Sequence, residues 1–302
     1  MTFEHYILTR FALSYFEGVG DACLDEQYLD YRFSLFESVC LPSVKSQTCQ
    51  NFKWLVLFDS RTPTRFKKRI EALQKDYPQL LPCYIDLKKE ADLLPVEKYI
   101  QPNDEYETVV RGLSKNADTL ENDRPSRIIL PGVIHRIIDL HSCSPDYYVT
   151  TRLDNDDALH KDYVSIVQQK VLANPQHVIF DFVNTYKFIL DEGIVYRYSL
   201  ENGHFLTLVE PADGLFQTIL FWNHLYASRF VETLHFHQRP LQLELVHKNN
   251  YVNAFTELSV AGLIEGLVYF REKDFGLKNT TISRRKTLLT IGSLLKHRLI
   301  GT

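Results

Sequence analysis

The chain has 302 residues, 45% hydrophobic and 24% charged, with 12 glycines and 12 prolines. That balance excludes a disordered or collagen-like chain and suits one large domain or two modest ones. Lysine and arginine number 34 against 38 acidic residues, a formal charge of −4, so no global basic field exists to gather nucleic acid and none is expected as a partner.

Cysteines 23, 40, 49, 83 and 143 include no CxxC pair, which argues against a disulfide framework or a thiolate zinc knuckle and for a reducing, cytoplasmic setting. The opening MTFEHYILTRF lacks the apolar core of a signal peptide, and no run of about 18 apolar residues occurs. The first apolar run, Tyr6 to Leu8, reads as a strand ending at Thr9-Arg10-Phe11, followed by a Gly-containing loop, Gly18 to Asp21. Tyr31, Leu35, Phe36, Val39 and Cys40 then recur at helical spacing over 29–41, and Pro42 permits only a break or a restart. Phe52 to Phe58 is apolar except for Lys53 and stops at Asp59-Ser60-Arg61-Thr62-Pro63, the pattern of a buried parallel strand ending in a polar turn. A helix over 64–76 and a strand over 83–87 complete a β-α-β-α-β alternation, the mark of a doubly wound parallel sheet.

Residues 88–125 carry little pattern and read as loops and short helices. A helix is expected over 128–140, a fourth strand over 147–151 and another helix over 160–173. Beyond 176 the stretches 177–190, 194–200 and 205–209 are strand-like, with Asp191-Glu192-Gly193 and Glu201-Asn202-Gly203 as hairpin signals. The expectation is an antiparallel meander appended to the parallel sheet: a domain over 1–240, its nucleotide-binding half about 1–157 and its acceptor half about 158–240, then a C-terminal extension over 241–302.

The chemistry gathers at Asp154-Asn155-Asp156-Asp157, directly after the fourth strand. Side chains at the carboxyl end of a parallel strand face the crevice where ligands bind. Clustered carboxylates repel one another, and a divalent cation relieves that repulsion; Mg²⁺ or Mn²⁺ takes one or two carboxylates and fills its remaining positions with water and substrate phosphates. The bland alternative is a solvated acidic turn capping the next helix.

Strand, Asp-x-Asp, helix, after two N-terminal βα units, resembles the GT-A fold of nucleotide-sugar glycosyltransferases, and FKWLVLFDSRT (52–62) resembles the second strand and turn of family-2 transferases. More narrowly, HYILTRF, TTRLDNDDAL and LELVHKNN resemble a bacterial rhamnosyltransferase family within that fold. The resemblance implies an α/β protein, a GT-A-type Rossmann-like mixed sheet with N-terminal parallel βα units, then antiparallel strands, and a helical C-terminal extension. It implies a metal-dependent glycosyltransferase with Mn²⁺ or Mg²⁺ as cofactor, a dTDP-, UDP- or GDP-sugar as donor, a glycan or lipid-linked acceptor, and inversion at the transferred sugar.

On this reading Asp154 and Asp156, with His247 in Leu245-Val246-His247, are the metal ligands. Thr9, Arg10 and Phe11 frame the nucleotide, Phe11 packing on the base and Arg10 meeting a phosphate; the alternative makes Phe11 core. Asp59 accepts from the base or merely forms its turn. Arg136 takes the place of a donor-contacting arginine, and Arg152 and Asn155 stand beside the carboxylates on the donor side. Glu210 and Asp213 are the candidate catalytic bases, with helix capping as the alternative for Asp213. His235 and His237 alternate as on a strand and are structural or acceptor-facing.

From Phe275 onward no acidic residue occurs, while Arg284, Arg285, Lys286, Lys296 and Arg298 accompany leucines at helical spacing. Such a helix over 284–299 either lies on an anionic membrane or packs on the domain. A nucleotidyltransferase lacks its basic, Gly-rich phosphate loop here, and a non-catalytic glycan-binding protein has no need to retain the acidic cluster.

Overall fold

Strands buried on both faces must be covered on both sides, and the first two strands of the chain meet this demand as neighbours. The structure, a computed structural model, describes residues 1–14, 20–87, 89–90, 130–140, 142–213, 218–220, 227–247, 258–278 and 282–300. The loop reading of 88–125 falls almost wholly outside these residues.

Strand β1 (Phe3–Ala12) pairs in parallel with β2 (Lys53–Asp59) and with β4 (Tyr147–Arg152), and β3 (Leu80–Ile85) pairs in parallel with β2. Alternate residues serve opposite layers. Ile7, Trp54, Val56 and Phe58 face a layer containing Phe33, Phe36, Phe66 and Val164. Tyr6, Leu8, Leu55 and Leu57 face the other, with Leu130, Val133 and Ile134. The helices behind these layers are α1 (Glu26–Leu35), α2 (Leu41–Lys45), α3 (Thr64–Asp76), α4 (Leu130–Asp139) and α5 (Tyr163–Ala173).

The helix expected over 29–41 starts earlier, at the Asp25 cap, whose carboxylate accepts the amides of Gln27 and Tyr28. It passes through a wide turn, Phe36–Cys40, and restarts with Pro42 in the first turn of α2, where a missing amide hydrogen costs nothing.

The C-terminal half departs from a meander. Residues 177–190 form two strands, β6 (Val178–Phe182) and β7 (Asn184–Ile189), which separate at Val183 into different sheets. The Gly193 turn, at φ 65, joins β7 to β8 (Ile194–Ser199) as a hairpin. The Asn202 turn, at φ 56, instead carries the chain from β8 back to β9 (Leu206–Pro211) in the first sheet. That sheet is completed by β10 (Thr233–Phe236) and runs β10-β6-β9-β4-β1-β2-β3, with β9 antiparallel between β4 and β6. The second sheet runs β5-β11-β7-β8, with β5 (Ala158–Leu159) and β11 (Gln242–Val246). β11 is hydrogen-bonded to both β5 and β7, so the chain beyond residue 240 is built into this sheet before any extension begins.

Helix α6 (Val260–Tyr269) rests on β8 through two glycines. A Cβ on Gly262 would stand 2.3 Å from the Arg197 carbonyl oxygen, and one on Gly266 2.2 Å from that of Val195. Helix α7 (Arg284–Ile300) follows, with Ile291 and Leu294 packed beside Leu263 and Tyr196. No described helix is long and apolar enough to cross a membrane.

Candidate active site

Strands β3, β2, β1 and β4 all run the same way, and chain order reverses between β1 and β4. In open α/β sheets the crevice beyond the carboxyl ends at that reversal is where ligands bind. β4 ends there at Arg152; Leu153 is buried and its amide still reaches the Leu8 carbonyl at 3.1 Å. The acidic residues follow in a turn closed by the Asp157 amide donating to the Asp154 carbonyl at 3.2 Å.

Each member of the turn has its own surroundings. Asp154 keeps 31% of its side chain exposed and faces Arg152 at 3.0 Å and Arg10 at 3.9 Å. Burial alone would raise its carboxyl, but the charges of Arg152, Arg10 and His204 outweigh that and hold it well below the usual carboxylate range. Asn155 is buried; its amide donates to the Phe11 carbonyl at 2.9 Å, and its oxygen accepts from Arg32. Asp156 is buried between Arg32 at 3.0 Å and His247 at 2.8 Å.

Asp157 is buried as well. It accepts the Leu245 amide at 2.8 Å on one oxygen and meets His204 Nε2 at 3.0 Å on the other. Burial pushes the Asp157 carboxyl up, Asp156 and Asp154 add to the push, and His204 opposes it. Burial works against a charged His204, but the bond and charge of Asp157 outweigh it and raise the imidazole. Alongside, Lys187 is almost wholly buried and contacts Glu244 at 3.2 Å, with the Tyr198 hydroxyl donating to the same carboxylate.

Asp154, Asp157 and His204 each offer one ligand atom, and these atoms lie within 4.8 Å of one another. Two carboxylate oxygens and an imidazole nitrogen form a donor set that suits Mn²⁺, and the oxygens with added water suit Mg²⁺. The residues present therefore fit a divalent cation. The set differs from the Asp154, Asp156, His247 grouping expected from the sequence. Asp156 and His247 do come together, but on each other and on Arg32, while the imidazole near Asp154 is that of His204. His204 follows the Asn202 turn with no motif around it; the fold brings it in because β9 enters between β4 and β6.

The remaining expected residues are dispersed. Arg10 and Arg152 reach the acidic turn. Asp59 ends β2 on the same sheet edge, buried, with Arg61 bound through both its backbone amide and its guanidinium. Thr9 is fully buried and accepts from the Trp54 indole at 2.9 Å. Phe11 is 4% exposed and packs on Phe33, Phe36 and Phe58, so its ring is spent in the core rather than presented to a base. Arg136 pairs with Glu90 rather than with the acidic turn.

Glu210 is buried opposite Tyr148, at the start of β4, and accepts the Thr218 amide at 2.9 Å. Because β9 is antiparallel to β4, Glu210 sits four residues, about 13 Å of strand, from Arg152. Exposed Asp213 lies further along the same way. The structure therefore does not bring either to the acidic turn. His235 meets buried Asp181 at 2.9 Å, and that carboxylate also accepts the Asn202 amide at 2.7 Å, which anchors the turn leading to His204. His237 follows directly after β10, exposed.

Comparison with known proteins adds three findings. The family described as "Putative rhamnosyl transferase" matches residues 16–111 and 120–257. No curated protein matches the chain. Among solved structures, the apo form of mouse xyloside xylosyltransferase 1 is similar at a TM-score of 0.38 and 9% identity, over 72% of this chain and 70% of that one.

Proposed function

From the premise that the chain belongs to the rhamnosyl transferase family and is a glycosyltransferase, we propose that it moves rhamnose from a nucleoside-diphosphate donor to a glycan or lipid-linked acceptor, with inversion. The observation that carries this reading is the meeting of Asp154, Asp157 and His204 at the carboxyl end of β4, at the point where the strand order reverses. When held there, Mn²⁺ or Mg²⁺ supplies positive charge against the leaving diphosphate.

The chain's own residues do the rest. Arg152 and Arg10, now turned on Asp154, are placed to swing onto a donor phosphate, which guanidinium groups grip through paired hydrogen bonds. Asp59 and Asp21 hold Arg61 at the end of β2, the side proposed for the nucleoside. Arg32, His247 and the Leu245 amide hold the acidic turn in one shape before any ligand arrives, so little reorganisation is left to the reaction. Asp157 and His204 already stand 3.0 Å apart, so together with Asp154 they would hold the cation, which would supply positive charge there.

The acceptor side is proposed to lie at a cytoplasmic membrane surface. Helix α7 exposes Leu288, Leu289 and Leu295 beside Arg284, Arg285 and Lys296, and no acidic residue follows Asp274.

A donor screen tests the reaction: release of nucleoside diphosphate from dTDP-, UDP- and GDP-sugars with Mn²⁺, with Mg²⁺, and with EDTA. Turnover that needs the cation and prefers a rhamnose donor is expected. A protein that binds no nucleotide under any of these conditions contradicts the proposal.

A further inference from the structure

His204 comes to the acidic turn from a stretch of chain that carries no motif, so the fold itself must fix where its ring stands. The residue lies between the turn at Asn202 and the start of β9 at Leu206. Its Nε2 meets Asp157 at 3.0 Å, and its ring stands 4.2 Å, centroid to centroid, from that of Phe205.

Asp181 of β6 brackets this stretch. Its backbone pairs with Leu206, two residues after His204. Its carboxylate accepts the amide of Asn202, two residues before His204, at 2.7 Å. The same oxygen, Oδ2, accepts from His235 Nδ1 at 2.9 Å. His235 stands directly opposite Asp181 in the register of β10 on β6, so strand pairing presents the ring to the carboxylate. The Asp181 side chain is only 3% exposed, and a buried carboxylate is costly unless it is bonded. Burial raises its carboxyl, and the bonds from Asn202 and His235 oppose that rise.

The turn carries costs that a simple connection avoids. Its left-handed conformation, φ 56, falls on Asn202 and not on the glycine that follows. The turn at Asp191 places its positive φ on Gly193, where no Cβ opposes it. The side-chain oxygen of Asn202 is also buried with no hydrogen-bond partner among the described residues, although buried polar groups are almost always paired. Local costs of this kind persist only where the surrounding structure holds them, and they gather at functional sites. Here the Asp181 carboxylate does the holding, and the group delivered two residues later is His204.

We propose that Asp181 and His235 are positioning residues for the cation site. By fixing Asn202 they set the direction in which the chain leaves the turn, and so place the His204 imidazole beside Asp154 and Asp157. A cation then meets three ligand atoms already assembled, and less ordering is left to binding. Both residues act through His204 and not on the cation. The role toward a cation rests on the glycosyltransferase reading; the connection from Asp181 to His204 does not.

The test uses the full chain and Mn²⁺ alone, without nucleotide. Affinity is read from the electron paramagnetic resonance of the unbound ion. The setting of His204 is read from its ring ¹⁵N signals in the cation-free protein, assigned by their loss in His204→Ala. In Asp181→Ala the affinity is expected to fall about tenfold and the His204 signals to shift. Asp181→Asn keeps an oxygen that accepts from Asn202 and is expected to bind Mn²⁺ more tightly than Asp181→Ala. His235→Ala removes a side chain that is 29% exposed and is expected to move both readings in the same direction; it carries the test if Asp181→Ala does not fold. Ile70→Val, a change in the buried face of α3, lowers stability without touching these contacts and is expected to leave both readings unchanged. The proposal is overturned if the variants at 181 and 235 keep the wild-type signals and affinity, or if Ile70→Val reproduces the loss. A wild type that binds no Mn²⁺ overturns the cation reading and this role with it, whereas wild-type binding that survives both variants overturns the role alone.

Discussion

Asp154, Asp156 and Asp157 are chemically alike and stand within four positions of one another, yet the fold gives them different work. Asp154 faces the crevice with arginines beside it, Asp157 shares its charge with His204, and Asp156 is enclosed by Arg32 and His247. Their substitutions should separate accordingly. His204→Ala is expected to leave the fold intact and to weaken cation-supported nucleotide binding by about tenfold or more, read by calorimetry in Mn²⁺ against EDTA. Asp156→Ala leaves the largely buried Arg32 guanidinium with the Asn155 oxygen but without its carboxylate, and removing one partner of such a pair costs about 3–5 kcal/mol; a urea midpoint close to that of the wild type would contradict it. His5, buried on β1 with Thr151 of β4 at 2.9 Å, carries a different signature. Burial drops its imidazole to about 3. Below the ordinary value near 6.5 the unfolded chain takes up a proton that the folded chain refuses. Stability contributed by this group is thus complete above pH 6.5 and declines by about 1.4 kcal/mol per pH unit toward pH 3. His5→Gln should flatten that acid slope in urea titrations, whatever it does to stability at neutral pH.

At the scale of elements, small residues and charge decide placement. α6 sits on β8 because Gly262 and Gly266 let its backbone touch the strand. Alanine is the better helix former by up to about 1 kcal/mol, but at Gly266 its methyl meets backbone that cannot give way. Gly266→Ala should therefore destabilise the protein by about 1–3 kcal/mol, measured by urea unfolding. α7 packs on the protein along one side only. Thr287, Ile291 and Leu294 face the protein, whereas Leu288, Leu289 and Leu295 with the basic residues face outward. Deleting residues 284–302 should lower sedimentation with vesicles containing anionic lipid and leave that with neutral vesicles unchanged; equal loss with both would reject an electrostatic contact.

At the scale of the whole molecule, the parallel half was legible because its signals are local. The apolar run ending at Asp59, the helix from Thr64 to Asp76 and the strand from Tyr147 need only periodicity and flanking turns to be recognised. The resemblance carried by HYILTRF, TTRLDNDDAL and LELVHKNN pointed to the family that the match over most of the chain then shows. The second half was not legible in the same way. The turn at Asp191 to Gly193 and the turn at Glu201 to Gly203 look alike in sequence, yet one closes a hairpin and the other crosses between sheets. Nothing within either turn encodes that choice; it depends on which sheet edge remains unpaired.

The sequence by itself determined the parallel βα core, the acidic turn at the end of its fourth strand and the glycosyltransferase family, since each follows from residues adjacent in the chain. Only the tertiary structure decided which imidazole faces which carboxylate, that Phe11 belongs to the core, and that Glu210 lies at the opposite end of the strands from the acidic turn. Those outcomes depend on strand direction and on the antiparallel insertion of β9, which bring residues about fifty positions apart into contact and carry near neighbours in the chain to opposite ends of the sheet.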